Sequence, residues 1–199
     1  MVMNTPTFFF DGENRALDLL NTVVVDDGAV RDLLAHPHAV GAWLVASGTA
    51  EGEAVCDVVA FPPLGRRLVV ETVQLRDALR VLVDAFARGT VLPPQAVFAL
   101  DRVLEARRRH TRVRADGVSL SVEEAVDDDV PLGLLEPVAR AALELVTQGD
   151  RARLRQCDAD DCGLWFYDTS RNGSRRWCSM ARCGNRAKVA AHYRRHRED

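Results

Sequence analysis

The sequence predicts a mainly α-helical chain with a small β-hairpin, an α+β arrangement in which a helical N-terminal domain precedes a small C-terminal module. Three observations carry this expectation. Apolar residues recur at helical spacing through most of the first 150 residues. One short stretch instead alternates about a glycine-containing turn. Four cysteines then gather in two pairs within the last fifty residues, among many arginines.

Taken in order, Arg15 to Val25 places Leu17, Leu20, Asn21 and Val24 on one face of a helix. Val30 to Ala46 is apolar but broken at Pro37 and Gly41, so two short helices are expected. Phe61-Pro62-Pro63-Leu64-Gly65 reads as a loop, because proline disfavours helix in the residue before it. Arg66 to Arg88 is the clearest helix: Val69, Val73, Leu75, Leu79, Leu82, Val83 and Phe86 keep one side apolar. Gly89 follows in the usual C-terminal position. Pro93 and Pro94 open a helix running to about Arg108. Thr111 to Val122 alternates about Ala115-Asp116-Gly117, which predicts the hairpin, and Glu123 to Val130 is acidic and expected to be exposed. Leu132 to Gln148 returns to helix, and Pro137 moves its start towards Glu136, since proline fits only the first turn. Gly149-Asp150 marks the boundary, giving a domain over residues 1–149 and a module over 150–199.

The chain has 199 residues, 47% hydrophobic and 28% charged, enough to build a core. It contains no run of 18 apolar residues, which argues against a membrane partner. Met1 to Phe10 carries no basic residue and no secretory pattern, so a cytoplasmic location is expected. In that reducing setting, cysteines serve as thiols or metal ligands rather than disulfides. The net charge of -3 conceals a division. Arg151 to Asp199 holds 12 basic residues (11 Arg and Lys188) against 6 acidic, leaving 14 basic and 23 acidic in the rest. An acidic body joined to a basic tail implies two separate jobs.

Cys157, Cys162, Cys178 and Cys183 are spaced C-x4-C-x15-C-x4-C. Two short loops, each presenting two thiolates, suit the tetrahedral preference of Zn2+, and four sulfur ligands close the shell, so the site is expected to be structural. Gly163 and Gly184 follow the second and fourth ligands, where a tight bend is useful. A module of about 45 residues with few large apolar side chains needs such a staple. Two disulfides or unconnected core cysteines are the alternative; a redox role is weaker, since neither pair is C-x-x-C. Cys56 reads as a small buried hydrophobe. The interval between the pairs leaves room for a hairpin, with Leu164-Trp165-Phe166-Tyr167 as a strand packed over the metal and Asp168 to Gly173 as the turn. Base stacking is the other use of these aromatics. A helix from Ser179 to about Arg197 completes a treble-clef-like arrangement.

Arg171, Arg175, Arg176, Arg182, Asn185, Arg186, Lys188, Arg194 and Arg195 surround this site with few acids among them. Forked guanidinium donors suit phosphates and guanine edges, so the module is expected to bind nucleic acid, with DNA as the leading partner.

The run Arg175-Arg176-Trp177-Cys178-Ser179-Met180-Ala181-Arg182-Cys183-Gly184-Asn185-Arg186-Ala187-Lys188 closely resembles the signature of the CGNR zinc-finger family. Cys157, Cys162, Trp165-Phe166, Asp168 and Asn172 fall where that pattern places them. Leu17-Asp18-Leu19-Leu20-Asn21-Thr22 and Leu75-Arg76-Asp77-Ala78-Leu79-Arg80 resemble the ABATE domain that accompanies such fingers. The resemblance implies a stress-induced transcription regulator with four-cysteine zinc, DNA contact by the finger and a small ligand held by the N-terminal domain.

Arg15, Asp18, Asn21 and Arg76, polar groups on apolar helices, are the candidate ligand site, with capping or internal hydrogen bonding as their other reading. Asn21 stands out because it lies on the apolar side of its helix. The competing function is an RNA-binding or protein-docking module. Catalysis is not expected, since no Ser/His/Asp, H-E-x-x-H or phosphate-loop pattern occurs. Palindromic DNA recognition would call for a homodimer, and the helix Arg66 to Arg88 is one candidate interface.

Overall fold

A computed structural model describes residues 6–26 and 28–195. Its axis is α4, Pro62–Arg88, 27 residues long. Leu68, Leu75, Leu79, Leu82 and Val83 recur on one side and are at most 1% exposed, so this face is core rather than an interface. Around it pack α1 (Arg15–Leu20), α2 (Pro37–Ala46), α3 (Gly52–Ala60), α5 (Pro94–Leu104), α6 (Val130–Gly133) and α7 (Glu136–Gln148). Gly89 ends α4 at φ 66°, a left-handed cap that glycine adopts without steric cost. Pro137 lies in the first turn of α7, where its missing N–H would have no helical partner anyway.

Several elements differ from the sequence expectation, each for a local reason. Pro62 and Pro63 form the first turn of α4 instead of a loop. Gly41 lies inside one continuous α2: a Cβ there would stand 2.9 Å from Val55 Cγ1, so the glycine lets α3 approach closely. The helix expected to reach Val25 stops at Leu20, and β1 (Val23–Asp26) pairs antiparallel with β2 (Ala29–Asp32). The β-branched run Val23-Val24-Val25 favours strand over helix, and Gly28 turns at φ 78°. Helix α3 was not anticipated, and Cys56 upon it is exposed rather than buried. The second ribbon is longer than predicted: β3 (Arg107–Asp116) pairs with β4 (Ser119–Asp128), taking in much of the acidic stretch.

The third ribbon, β5 (Leu154–Gln156) with β6 (Trp165–Tyr167), joins the tail to the body. Strand alternation sends Trp165 into the main core beside Leu154 and Phe166 into a second cluster. That second cluster unites Val24, Leu33, Leu164 and Phe166 with three of the cysteines, and Phe8 and Phe9 pack against it. Asn21, 1% exposed, clamps the junction: its Nδ2 donates to Trp165 O at 2.9 Å, and Trp165 N donates to its Oδ1 at 2.8 Å. Both polar ends of the amide are satisfied by the strand.

Replacing Asn21 with leucine keeps the branched heavy-atom skeleton but strips both partners from a buried peptide unit. Asn21→Leu is therefore expected to lower unfolding stability by about 2–5 kcal/mol, measured by urea denaturation. A loss below about 0.5 kcal/mol would mean that the clamp contributes nothing beyond packing.

Candidate metal centre and nucleic-acid interface

The first cysteine pair sits in the loop of the β5–β6 ribbon, not before it. Cys157 N donates to Leu164 O at 2.9 Å, extending the ladder, and Cys162 N donates to Ala159 O at 3.0 Å. Thus the hairpin wraps the first pair, and Ser174–Trp177 has no strand partner, contrary to the expected hairpin between the pairs. The sequence missed this because β5 is only three residues long and polar at two of them. The second pair frames a π-helical turn, Met180–Gly184, that leads into α8, Asn185–Arg195. At Gly184 a Cβ would meet Met180 Sδ at 2.5 Å and the Trp177 ring at 3.4 Å, so the glycine lets the Met180 side chain fold over the turn. Gly163 has open space around it, so the glycine there answers no steric demand.

The four sulfur atoms lie within 4.8 Å of one another. Cys157, Cys178 and Cys183 are buried, and Cys162 is partly exposed. Sulfur–sulfur distances are 3.7 Å for Cys162–Cys178 and for Cys178–Cys183. A tetrahedron with zinc–sulfur bonds of about 2.3 Å has edges of about 3.8 Å, whereas a disulfide needs about 2.05 Å. The donor set therefore fits zinc, held by four thiolates with no position open to water. Without a cation the cluster is electrostatically divided. The Cys178 thiol hydrogen-bonds to Cys162 and brings it down to about 5, and Cys178 in turn is pushed far up. Burial lifts Cys183 to about 11. A dication resolves the conflict by favouring all four thiolates at once.

Asp168, fully buried, organises the loop between the pairs. Its Oδ1 accepts from Ser170 N and its Oδ2 from Arg175 N, both at 2.9 Å. Burial alone would raise this carboxyl; the Ser170 hydroxyl and amide, the Arg175 amide and the Arg155 charge outweigh it and hold it below the ordinary range.

The arginines fall into two groups. Arg175 faces inward: its guanidinium lies 4.6 Å from the Phe166 ring, pairs with Glu13 at 3.1 Å and donates to the carbonyls of Asp11, Trp177 and Cys178. Arg182 pairs with Asp11 and lies 3.9 Å from the Phe9 ring. Arg186 spans the two pairs, 2.7 Å from Asp161 and 3.7 Å from Cys183 Sγ. These three brace the module against itself and against the N-terminal segment. Facing outward are Arg176, 63% exposed while pairing with Asp158 at 2.8 Å, and Arg171 and Lys188, which make no ion pair among the described residues. Asn185 is exposed. The side chains of Arg194 and Arg195 lie outside the described residues. Trp165 and Phe166 are buried, which commits them to packing rather than base stacking. The bracing role of Asp11, Glu13 and Asp161 was not anticipated; an acid run beside a ligand, Asp160-Asp161-Cys162, was the available signal.

Arg15, Asp18, Asn21 and Arg76 do not assemble into one ligand site; each turns onto the protein itself. Arg15 donates to the carbonyls of Ser47 and Gly48. Arg76 holds Asp32 at 2.8 and 2.5 Å and Thr22 Oγ1 at 2.9 Å, and Asn21 is spent on Trp165. Asp18 Oδ1 accepts from Gly12 N at 2.9 Å, fixing the segment that carries Asp11 and Glu13.

Burial pushes the Asp18 carboxyl up from 3.8 to about 7, aided by Asp11 and Glu13 and opposed by Gly12 N–H and Arg15. The folded state thus keeps a proton that the unfolded chain has released. Its contribution is fully present below about pH 4 and is lost as pH rises to about 7, at roughly 1.4 kcal/mol per unit. Asp18→Asn retains an acceptor for Gly12 N and removes the titration. The variant is expected to match wild type near pH 4 and to exceed it by about 1–3 kcal/mol at pH 8. Parallel stability curves for the two proteins between pH 4 and 8 would refute this account.

Comparison with known families matches two models to the chain. Residues 153–196 match the CGNR zinc finger, and residues 13–149 match ABATE, described as "Putative stress-induced transcription regulator". No curated protein matches the chain. Since the ABATE match spans well over half of the sequence and runs into the finger that holds the four thiolates, the chain belongs to the ABATE family and ends in a CGNR zinc finger.

Proposed function

We propose that this protein is a DNA-binding transcription regulator whose zinc finger is a rigid platform for phosphate contact. The observation that carries the reading is the outward group of cations on a finger whose Arg175 and Arg182 are internally committed. Arg171, Arg176 and Lys188 project from a frame fixed by four thiolates, with Arg194 and Arg195 further along α8. Such cations supply the salt-dependent, counterion-releasing part of duplex binding. The closed four-sulfur shell supports a structural metal and gives no foothold for hydrolytic chemistry. Among the described residues, no helix is long and apolar enough to cross a membrane. A sensing role for the helical part rests on a cleft of about 670 Å3 between the α2–α3 turn and α6–α7, bordered by Ala50, Ala54, Val130, Leu134 and Pro137. Arg15, Asp18, Asn21 and Arg76 no longer support that role.

The test is duplex binding by fluorescence anisotropy across salt concentrations. The double variant Arg171→Ala/Lys188→Ala is expected to weaken binding evenly across sequences and to reduce the salt slope by about 2, since each of the two cations neutralises one phosphate. Zinc content should not change. Salt-independent binding, or a clear preference for single strands, would favour the RNA-binding or protein-docking alternative instead. Arg175→Ala is a poor probe of DNA contact, because it removes an internal brace.

A further inference from the structure

The metal centre is closed in ligand number but not in access. Cys157, Cys178 and Cys183 are buried, whereas Cys162 is partly exposed and lines a cleft of about 210 Å3. Phe9 and Val25 give the cleft apolar walls, and Gly163 and Arg186 line it as well. A Cβ built on Gly163 would meet nothing within 4 Å, so the glycine leaves open space next to Cys162. Arg186 stands 3.7 Å from Cys183 Sγ and pairs with Asp161 at 2.7 Å, while its side chain is still 55% exposed. Its guanidinium is thus held at the ligand set and reaches solvent.

A thiolate and a charged donor in one small cleft are the two groups that reaction with a peroxide uses. The thiolate supplies the electron pair, and the donor steadies the oxygen that leaves. Size and charge select the oxidant. The cleft is smaller than the about 300–1,000 Å3 that drug-sized ligands occupy. Four thiolates around a dication keep a net charge of about -2, which repels anions. A small neutral peroxide meets both limits. The partner for a second step lies across the two cysteine pairs: Cys178 Sγ is 3.7 Å from Cys162 Sγ. These sulfurs need only close to about 2.05 Å to bond. They are 16 residues apart in the chain, so the spacing within either C-x4-C pair carries no redox signal.

We propose that Cys162 is a peroxide-reactive ligand that forms a disulfide with Cys178 and opens the metal centre, with Arg186 donating to the departing oxygen. Cys162 Sγ attacks one peroxide oxygen, the O–O bond breaks, and the other oxygen leaves as hydroxide, which takes a proton to become water. Cys162 is then a sulfenic acid. Cys178 Sγ attacks that sulfur, the S–O bond breaks, and a second hydroxide leaves to become water. In all, two thiolates give up two electrons and one peroxide receives them. With two of its four ligands joined to each other, the site lets its metal go. The proposal is independent of what the finger binds.

Treating the zinc-loaded full chain with hydrogen peroxide tests this. Released metal is read by a chromogenic chelator, and each cysteine is mapped by sulfenic-acid trapping and peptide mass spectrometry. Cys56, exposed on α3 and outside the cluster, is the internal standard. Sulfenic acid is expected at Cys162 before any other cysteine, Cys56 included. A Cys162–Cys178 disulfide should follow, with release of about one zinc per chain. A thiol reductant with added zinc should restore the starting state. Gly163→Val fills the open space beside Cys162 and should slow release by on the order of 10-fold, since oxidation follows access to the thiolate. Arg186→Gln removes the charged donor and should also slow release about 10-fold. Both variants should begin with wild-type zinc content. Oxidation of Cys56 ahead of Cys162 with zinc retained overturns the proposal, as does first modification at Cys157, Cys178 or Cys183. Release from both variants as fast as from wild type overturns it too.

Discussion

Four thiolates within 4.8 Å of one another cannot share a buried site without a cation, and the rest of the structure is arranged around that fact. The ribbon β5–β6 supplies two sulfurs from one loop and the turn before α8 supplies the other two. The walls come from both ends of the chain. Val24 and Leu33 from the β1–β2 ribbon close one side, Leu164 and Phe166 the other, with Phe8 and Phe9 packed alongside. The metal therefore holds together more than the finger. It fixes the surface on which the N-terminal segment rests, and through β6 it fixes the strand that Asn21 clamps.

The arginines follow from the same constraint. Zinc with four thiolates carries a net charge of about -2, and the surrounding loop exposes several carbonyls and a buried carboxylate. Guanidinium groups answer both needs, since one fork can reach an acid, a carbonyl and an aromatic face together. Arg175 and Arg182 do so against Asp11, Glu13, Phe9 and Phe166, while Arg186 ties Asp161 to the Cys183 sulfur. Counting basic residues in the tail therefore overstates what is free to meet phosphate. Among the described residues of the finger, Arg171, Arg176 and Lys188 remain turned outward.

Features set by local chemistry were legible in the sequence. The cysteine spacing, the glycine cap of α4 and the first-turn position of Pro137 each follow from one residue and its neighbours. Long-range packing was not. Gly41 reads as a helix breaker until α3 is seen against it, and Asn21 reads as a ligand contact until β6, 144 residues away, is paired with it. Val23-Val24-Val25 did carry a strand signal, but the helical spacing of Leu17, Leu20 and Val24 masked it. The position of the zinc hairpin was hidden for another reason: a three-residue strand has too little alternation to register.

Amide hydrogen exchange before and after removal of zinc, whose content should be about one per chain, tests the central claim most directly. If the metal anchors a core shared by both ends of the chain, stripping it will cost protection in residues 157–184 and also in the β1–β2 ribbon. The Leu33 amide, bonded to Thr22 O at 2.9 Å, is a sensitive reporter there. Loss confined to residues 153–195, with Val23 to Leu33 as protected as before, would contradict it.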